Sequence, residues 1–194
     1  MRTALSALAV FSLALPVATT PEAIYAQSIR QSGRSDAGMV STAHPLATDA
    51  GVRMLELGGN AADAAVASAF AIAVVEPSMN SIGGRNQILI RRSDGSVHGI
   101  DGTTQAPSDY DPETAPRASY GYAVIGVPGA LAGLMKLHEE HGSLPIQSVM
   151  APAIDFAANG FRLLPAEAAR QAGAADQALE FPGTAAVYYR PDGS

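Results

Sequence analysis

The sequence predicts a layered α/β body, and three observations carry that expectation. Between 61 and 75 only Asp63 and Ser68 interrupt an apolar run, the pattern of a helix buried on every side. Two short runs, 88–92 and 97–101, flank Asp94-Gly95, a hairpin turn signal. The composition supplies a core: 47% of residues are hydrophobic and 15% charged, which excludes a disordered acidic tail. A length of 194 residues fits one domain or slightly more. Twelve Lys+Arg against 18 Asp+Glu leave a net charge of −6 with no basic run, which argues against nucleic-acid binding. The absence of cysteine excludes a disulfide scaffold, a thiolate zinc site and a cysteine nucleophile.

The N-terminus reads as an address. Arg2 provides a positive start, the stretch 4–15 is apolar except for Ser6 and Ser12, and Pro16 ends it. Ala26 offers a small residue before a cut ahead of Gln27, so residues 1–26 are expected to be a secretory signal peptide. The run is short for a membrane span. The competing reading is a buried N-terminal helix. Export implies a periplasmic or secreted protein with no membrane attachment after cleavage. Residues 27–37 are polar and read as a flexible lead-in.

The remaining elements follow in order. Residues 38–43 are expected to form a short strand ending at His44-Pro45, because the residue before proline favours extended geometry. Leu46, Ala50, Met54 and Leu57 lie three or four apart, the spacing of a helix face over 46–57, and Gly58-Gly59 stops it. Asn60 can cap the helix over 61–75, with Asp63 in its first turn and Glu76-Pro77 at its end. Its many alanines let neighbours approach closely. A glycine-containing loop over 81–87 leads into the hairpin. A strand is expected over 122–125, then a turn at Gly126-Val127-Pro128-Gly129 into a helix reaching about His141. Another helix covers 146–158, ended by Asn159-Gly160. After Ala-rich sequence, Val187-Tyr188-Tyr189 and Pro191-Asp192-Gly193 read as the tip of a hairpin.

Candidate chemistry is sparse. His138 and His141 lie three apart near a helix end, whereas the zinc-protease pattern needs two histidines four apart; the helix dipole already accounts for cations there. His44 and His98 read as local hydrogen-bonders. Gly58-Gly59 lacks the Lys-Ser/Thr of a phosphate-binding loop. Thr103-Thr104 offers hydroxyls, but a threonine nucleophile activated by its own amine must be the first residue of a chain. No convincing nucleophile–base pair, metal site or cofactor site is found.

The stretch GMVSTAHPLATDAGVRMLELGGNAADAAVASAFAIAVVEP, residues 38–77, resembles the signature start of the gamma-glutamyltransferases (glutathione hydrolases). The likeness continues through Ile82-Gly83-Gly84, Ile100-Asp101-Gly102, Ala106-Pro107, Gly126 to Leu134, Ala151-Pro152-Ala153-Ile154 and Asn159-Gly160-Phe161. This resemblance implies an N-terminal-nucleophile hydrolase with a four-layer αββα sandwich, of which residues 38–194 would be part of the large subunit. It implies an exported precursor that cuts itself in two. The new N-terminal threonine of the small subunit attacks a γ-glutamyl or related amide, and water or an acceptor amine resolves the acyl-enzyme. That threonine would lie beyond this sequence, so the resemblance places no catalytic residue here, and the expected partners are the small subunit and a small-molecule amide. The sequence alone is expected to be inactive. The alternative is a non-catalytic periplasmic binding or scaffold remnant of the same fold.

Two departures from the family pattern bear on recognition. Where the family has Asp-x-Arg-Glu-x-Ala-Pro, this chain reads Asp101-Gly102-Thr103-Thr104-Gln105-Ala106-Pro107. Thr103 therefore replaces the arginine that grips the substrate's α-carboxylate, and a hydroxyl cannot act as a bidentate cation. Arg85, Asn86 and Gln87 stand where Gly, Gly and an aromatic are usual. Thr103, Arg85 and Asn86 are the candidate substrate-binding residues, with Arg85 restoring the lost charge. The competing reading of Arg85 is a surface cation paired with an acidic neighbour.

Overall fold

A computed structural model describes residues 34–190. The chain divides into two compact units, 1–37 and 38–194. The expected signal peptide lies outside the described residues, as does most of the lead-in. Of the first unit only 34–37 are described, and they are exposed and irregular.

In the second unit the order is α1 (Pro45–Glu56), α2 (Ala61–Val75), β1 (Asn86–Arg91), β2 (Val97–Gly102), a 3-10 turn (Tyr122–Val124), α3 (Ala130–His141), α4 (Ile146–Asn159), α5 (Pro165–Gly173), α6 (Ala175–Leu179) and α7 (Pro182–Tyr188). Helix α2 is the hub: α1, α3 and α4 all pack on it, and α3 also packs on both strands. Met54, Val66, Val75, Leu137 and Val149 are fully buried between these elements. Close approach depends on small residues, as expected. A Cβ added to Gly51 of α1 would lie 3.0 Å from the Ala64 carbonyl oxygen of α2.

Local chemistry sets the helix ends. Pro45 occupies the first turn of α1, where a missing N–H costs nothing, and His44 caps it by accepting from Leu46 N at 3.2 Å. Gly58, at φ +83°, takes the left-handed conformation just beyond α1. Asn60 and Asp63 form a reciprocal capping box at the start of α2. The hairpin pairs antiparallel in the register Ile88↔Ile100 and Asn86↔Gly102, around a turn in which Gly95 has φ +87°. Its strands begin and end slightly differently from the expected 88–92 and 97–101, because Asn86 joins the ladder opposite Gly102.

Three expectations are corrected. Residues 38–43 form no strand: the segment is irregular, with a bend at Ala43 and no ladder partner beside it among the described residues. In the run 122–125, Tyr122–Val124 form a 3-10 turn entered through Gly121 at φ +85°; a nearby pairing is the isolated Gln105↔Val127 bridge. Val187 and Tyr188 end helix α7 rather than a hairpin, and Pro182 starts that helix. Residues 191–194 lie outside the described residues.

Candidate functional site

The start of β1 and the end of β2 meet at the Asn86↔Gly102 pair, and the chain on either side of that pair opens a cleft. Arg85, Asn86, Gln87 and Thr103 line it, around a volume of about 400 Å³. The three sequence-predicted residues are therefore neighbours across the open end of the hairpin, although Arg85 and Thr103 are far apart in sequence.

Each is held differently. Thr103 is half-buried, and both its backbone N–H, at 3.0 Å, and its Oγ1 donate to Asp101 Oδ1. This closes a local turn and occupies the hydroxyl. Arg85 is exposed and has no hydrogen-bond or ion-pair partner among the described residues. The acidic neighbour required by its competing reading is absent there.

Asn86 is turned inward. Its Nδ2 donates to the Ala130 carbonyl in the first turn of α3 at 2.8 Å. Its Oδ1 is buried without a hydrogen-bond partner among the described residues, facing Gly102 and Gly133, where an added Cβ would overlap it. Leaving such an acceptor unpaired costs about 1–3 kcal/mol. Just before Arg85, the Gly84 carbonyl accepts from Gly129 N at 3.2 Å and Ala130 N at 3.1 Å. These donors belong to the start of α3, whose first N–H groups lack partners within the helix. The loop residues on both sides of Arg85 are thus tied to one turn of α3.

These ties were not among the sequence expectations. Gly129 and Gly133, one helical turn apart, and Gly102 were the available signal: three small residues leaving room for one polar side chain. On the other side of Thr103 lies a smaller cavity of about 280 Å³, lined partly by Asp101, Gln105, Gly129 and Lys136. Lys136 is engaged by Glu140.

The histidines take structural positions. His138 Nε2 lies 2.8 Å from the Leu144 carbonyl, and His141 meets His98 edge-to-face with ring centroids 5.8 Å apart. Burial pushes the His44 pKa down, partly opposed by the charges of Glu76 and Glu167. Among the described residues, no group of three or more His, Asp or Glu side chains is placed to hold a metal ion. No helix among them is long and apolar enough to cross a membrane.

Comparison with known proteins places this geometry in context. Residues 47–194 match the family model described as Gamma-glutamyltranspeptidase. The chain is 39% identical over 135 residues to a glutathione hydrolase proenzyme of Pseudomonas sp. (strain A14), covering 65% of this chain and 24% of the relative. It is 41% identical over 143 residues to the acylase ACY 1 proenzyme of Pseudomonas sp. (strain SE83), covering 66% of this chain and 26% of that protein. The solved Helicobacter pylori gamma-glutamyltranspeptidase superposes with a TM-score of 0.80 at 28% identity, covering 84% of this chain and 49% of that one. The chain spans about a quarter of the length of these curated relatives. Its mixed helices and small sheet are part of the α/β fold of N-terminal-nucleophile hydrolases.

Proposed function

The chain belongs to the gamma-glutamyltranspeptidase family, and from that premise we propose that residues 38–194 supply the opening part of the large subunit of an exported amidohydrolase or aminoacyltransferase. Residues 1–26 act as its signal peptide and 27–37 join that peptide to the large subunit. A threonine on later polypeptide performs the chemistry: its hydroxyl attacks the donor's amide carbonyl, the amine leaves with a proton, and water or an acceptor amine releases the acyl group. The donor is a γ-glutamyl or related amide, with the small subunit as obligatory partner. Among relatives, the names glutathione hydrolase and acylase are both compatible with this chemistry.

The part assigned to the described residues is recognition of the donor's carboxylate. One observation supports it: Arg85 has no partner among the described residues and lines the same cleft as Thr103, the residue standing in place of the family arginine. A guanidinium can grip a carboxylate through two parallel N–H···O bonds, which a threonine cannot. Replacing Arg85 with Ala in the full-length protein is expected to raise KM for γ-glutamyl-p-nitroanilide by roughly tenfold or more, the loss of a charge-assisted contact. An unchanged KM rejects this assignment.

The absence of the family arginine at Thr103 also favours a second reading, a binding or scaffold protein that keeps the fold without the reaction. Expression of the complete gene separates the two. Autocleavage and p-nitroaniline release support the enzyme; an uncleaved, inactive product supports the scaffold.

A further inference from the structure

We propose that Asn86 is a positioning residue, fixing Arg85 at the mouth of the cleft by tying the start of β1 to the first turn of α3. This inference rests on the carboxylate-recognition role of Arg85. Arg85 is exposed, and among the described residues its long side chain has no partner to hold it. Such a side chain gives selective recognition only if the backbone carrying it is fixed, since ordering it from scratch costs conformational entropy. Here the backbone is fixed on both sides. The Gly84 carbonyl takes two N–H groups from Gly129 and Ala130, and Asn86 Nδ2 donates to the Ala130 carbonyl. Arg85 is the single residue between those anchors.

Side-chain volume points the same way. Asn86 fills space left open by two glycines on different elements, Gly102 on β2 and Gly133 on α3. Both are buried, and a Cβ on either would displace the amide. The amide oxygen is meanwhile buried unpaired. With that acceptor unpaired, the amide contributes through the single directed bond from Nδ2. Gln87, the next residue, faces outward, so the tie does not extend along the strand.

The test compares two donors in the full-length enzyme: γ-glutamyl-p-nitroanilide and 4-aminobutanoyl-p-nitroanilide, which lacks only the α-carboxylate. Asn86→Leu keeps the branched side-chain shape, with somewhat more bulk, but removes the donor to Ala130. Gly133→Ala keeps Asn86 but pushes its amide aside. Both are expected to raise KM for the γ-glutamyl donor by roughly tenfold while altering kcat and the 4-aminobutanoyl KM less than about twofold, the signature of a misplaced contact. Equal changes for both donors, or none, overturn the proposal. Arg85→Ala runs alongside: if it leaves both KM values unchanged, the carboxylate reading fails; if it alone shifts the γ-glutamyl KM, only the role of Asn86 fails. Crystal structures of wild type and Asn86→Leu give a readout independent of turnover. A shift of about 1 Å or more at the Arg85 backbone is expected, a displacement large enough to impair recognition, and an unmoved Arg85 overturns the proposal.

Discussion

The α2-centred body and the C-terminal helices α5–α7 are built from similar helical material but held by different forces. In the body, α2 buries an almost unbroken apolar surface against α1, α3 and α4. In the C-terminal segment only Glu167 is buried, and it is charged. Its Oε1 accepts from Ser78 N and Gln171 Nε2, and its Oε2 accepts from Ser78 Oγ and the Arg170 guanidinium. Arg170 Nη2 also reaches Glu76 at 2.6 Å, just beyond the end of α2. Apolar burial is non-directional and spread over many contacts, whereas this latch works only when every partner is in place. The two regions should therefore fail differently.

The largest expected effect is in the body. Met54→Ala removes a fully buried side chain beside α2 and should cost about 3–4 kcal/mol through lost burial and a residual cavity. Denaturant unfolding of the full-length protein would show a lower midpoint with unchanged slope. An effect below about 1 kcal/mol would mean that the body collapses freely around the gap, contrary to close packing.

Asp63 sharpens the contrast because it is a charge inside the apolar body. Its carboxylate accepts from Asn60 N, Ser143 N, Ser143 Oγ and Leu144 N, joining the start of α2 to the α3–α4 connection. Burial pushes its pKa up, but those hydrogen bonds outweigh it and hold the group below the ordinary aspartate range. A depressed folded-state pKa contributes stability above the unfolded value, about 3.9, and that contribution fades as pH falls through the folded value. Asp63→Asn should cost about 3 kcal/mol at neutral pH. The gap to wild type should narrow below about pH 4. A pH-independent gap would show that shape rather than charge makes this connection.

The smallest of the three effects lies in the latch. Glu167→Gln should cost about 2 kcal/mol locally by weakening the contacts to Arg170 and Ser78. Hydrogen exchange should accelerate at amides of α5 and stay unchanged in α2. Acceleration spread equally over both would mean that the two regions open as one unit.

What was legible in the sequence follows the same division. Helix α2, its Asn60–Asp63 cap and the Asp94-Gly95 turn were readable because their signals are local. The runs 38–43, 122–125 and 187–189 misled because β-prone side chains make a strand only beside a partner, and none lies beside them among the described residues. At the site, Arg85, Asn86 and Thr103 were picked out by departure from a family pattern, and the fold brings them to one cleft. The direction of the Asn86 side chain was not readable, since its partner Ala130 is 44 positions away. The network around Glu167 was hidden likewise: Ser78, 89 positions earlier, gives no local hint of a buried acid.

The outer surface of the two-stranded ribbon has a practical corollary. Leu89 is 78% exposed and Val97 56%, on the side facing away from α3, and among the described residues each strand has a neighbour on one flank alone. An uncovered ribbon of this kind is a template for foreign strands, so polypeptide that leaves it open will tend to clump. A lysine at Leu89, set among Gln87 and Arg91, would discourage that self-association while leaving Ile88, Ile90 and Ile100 to grip the helix beneath.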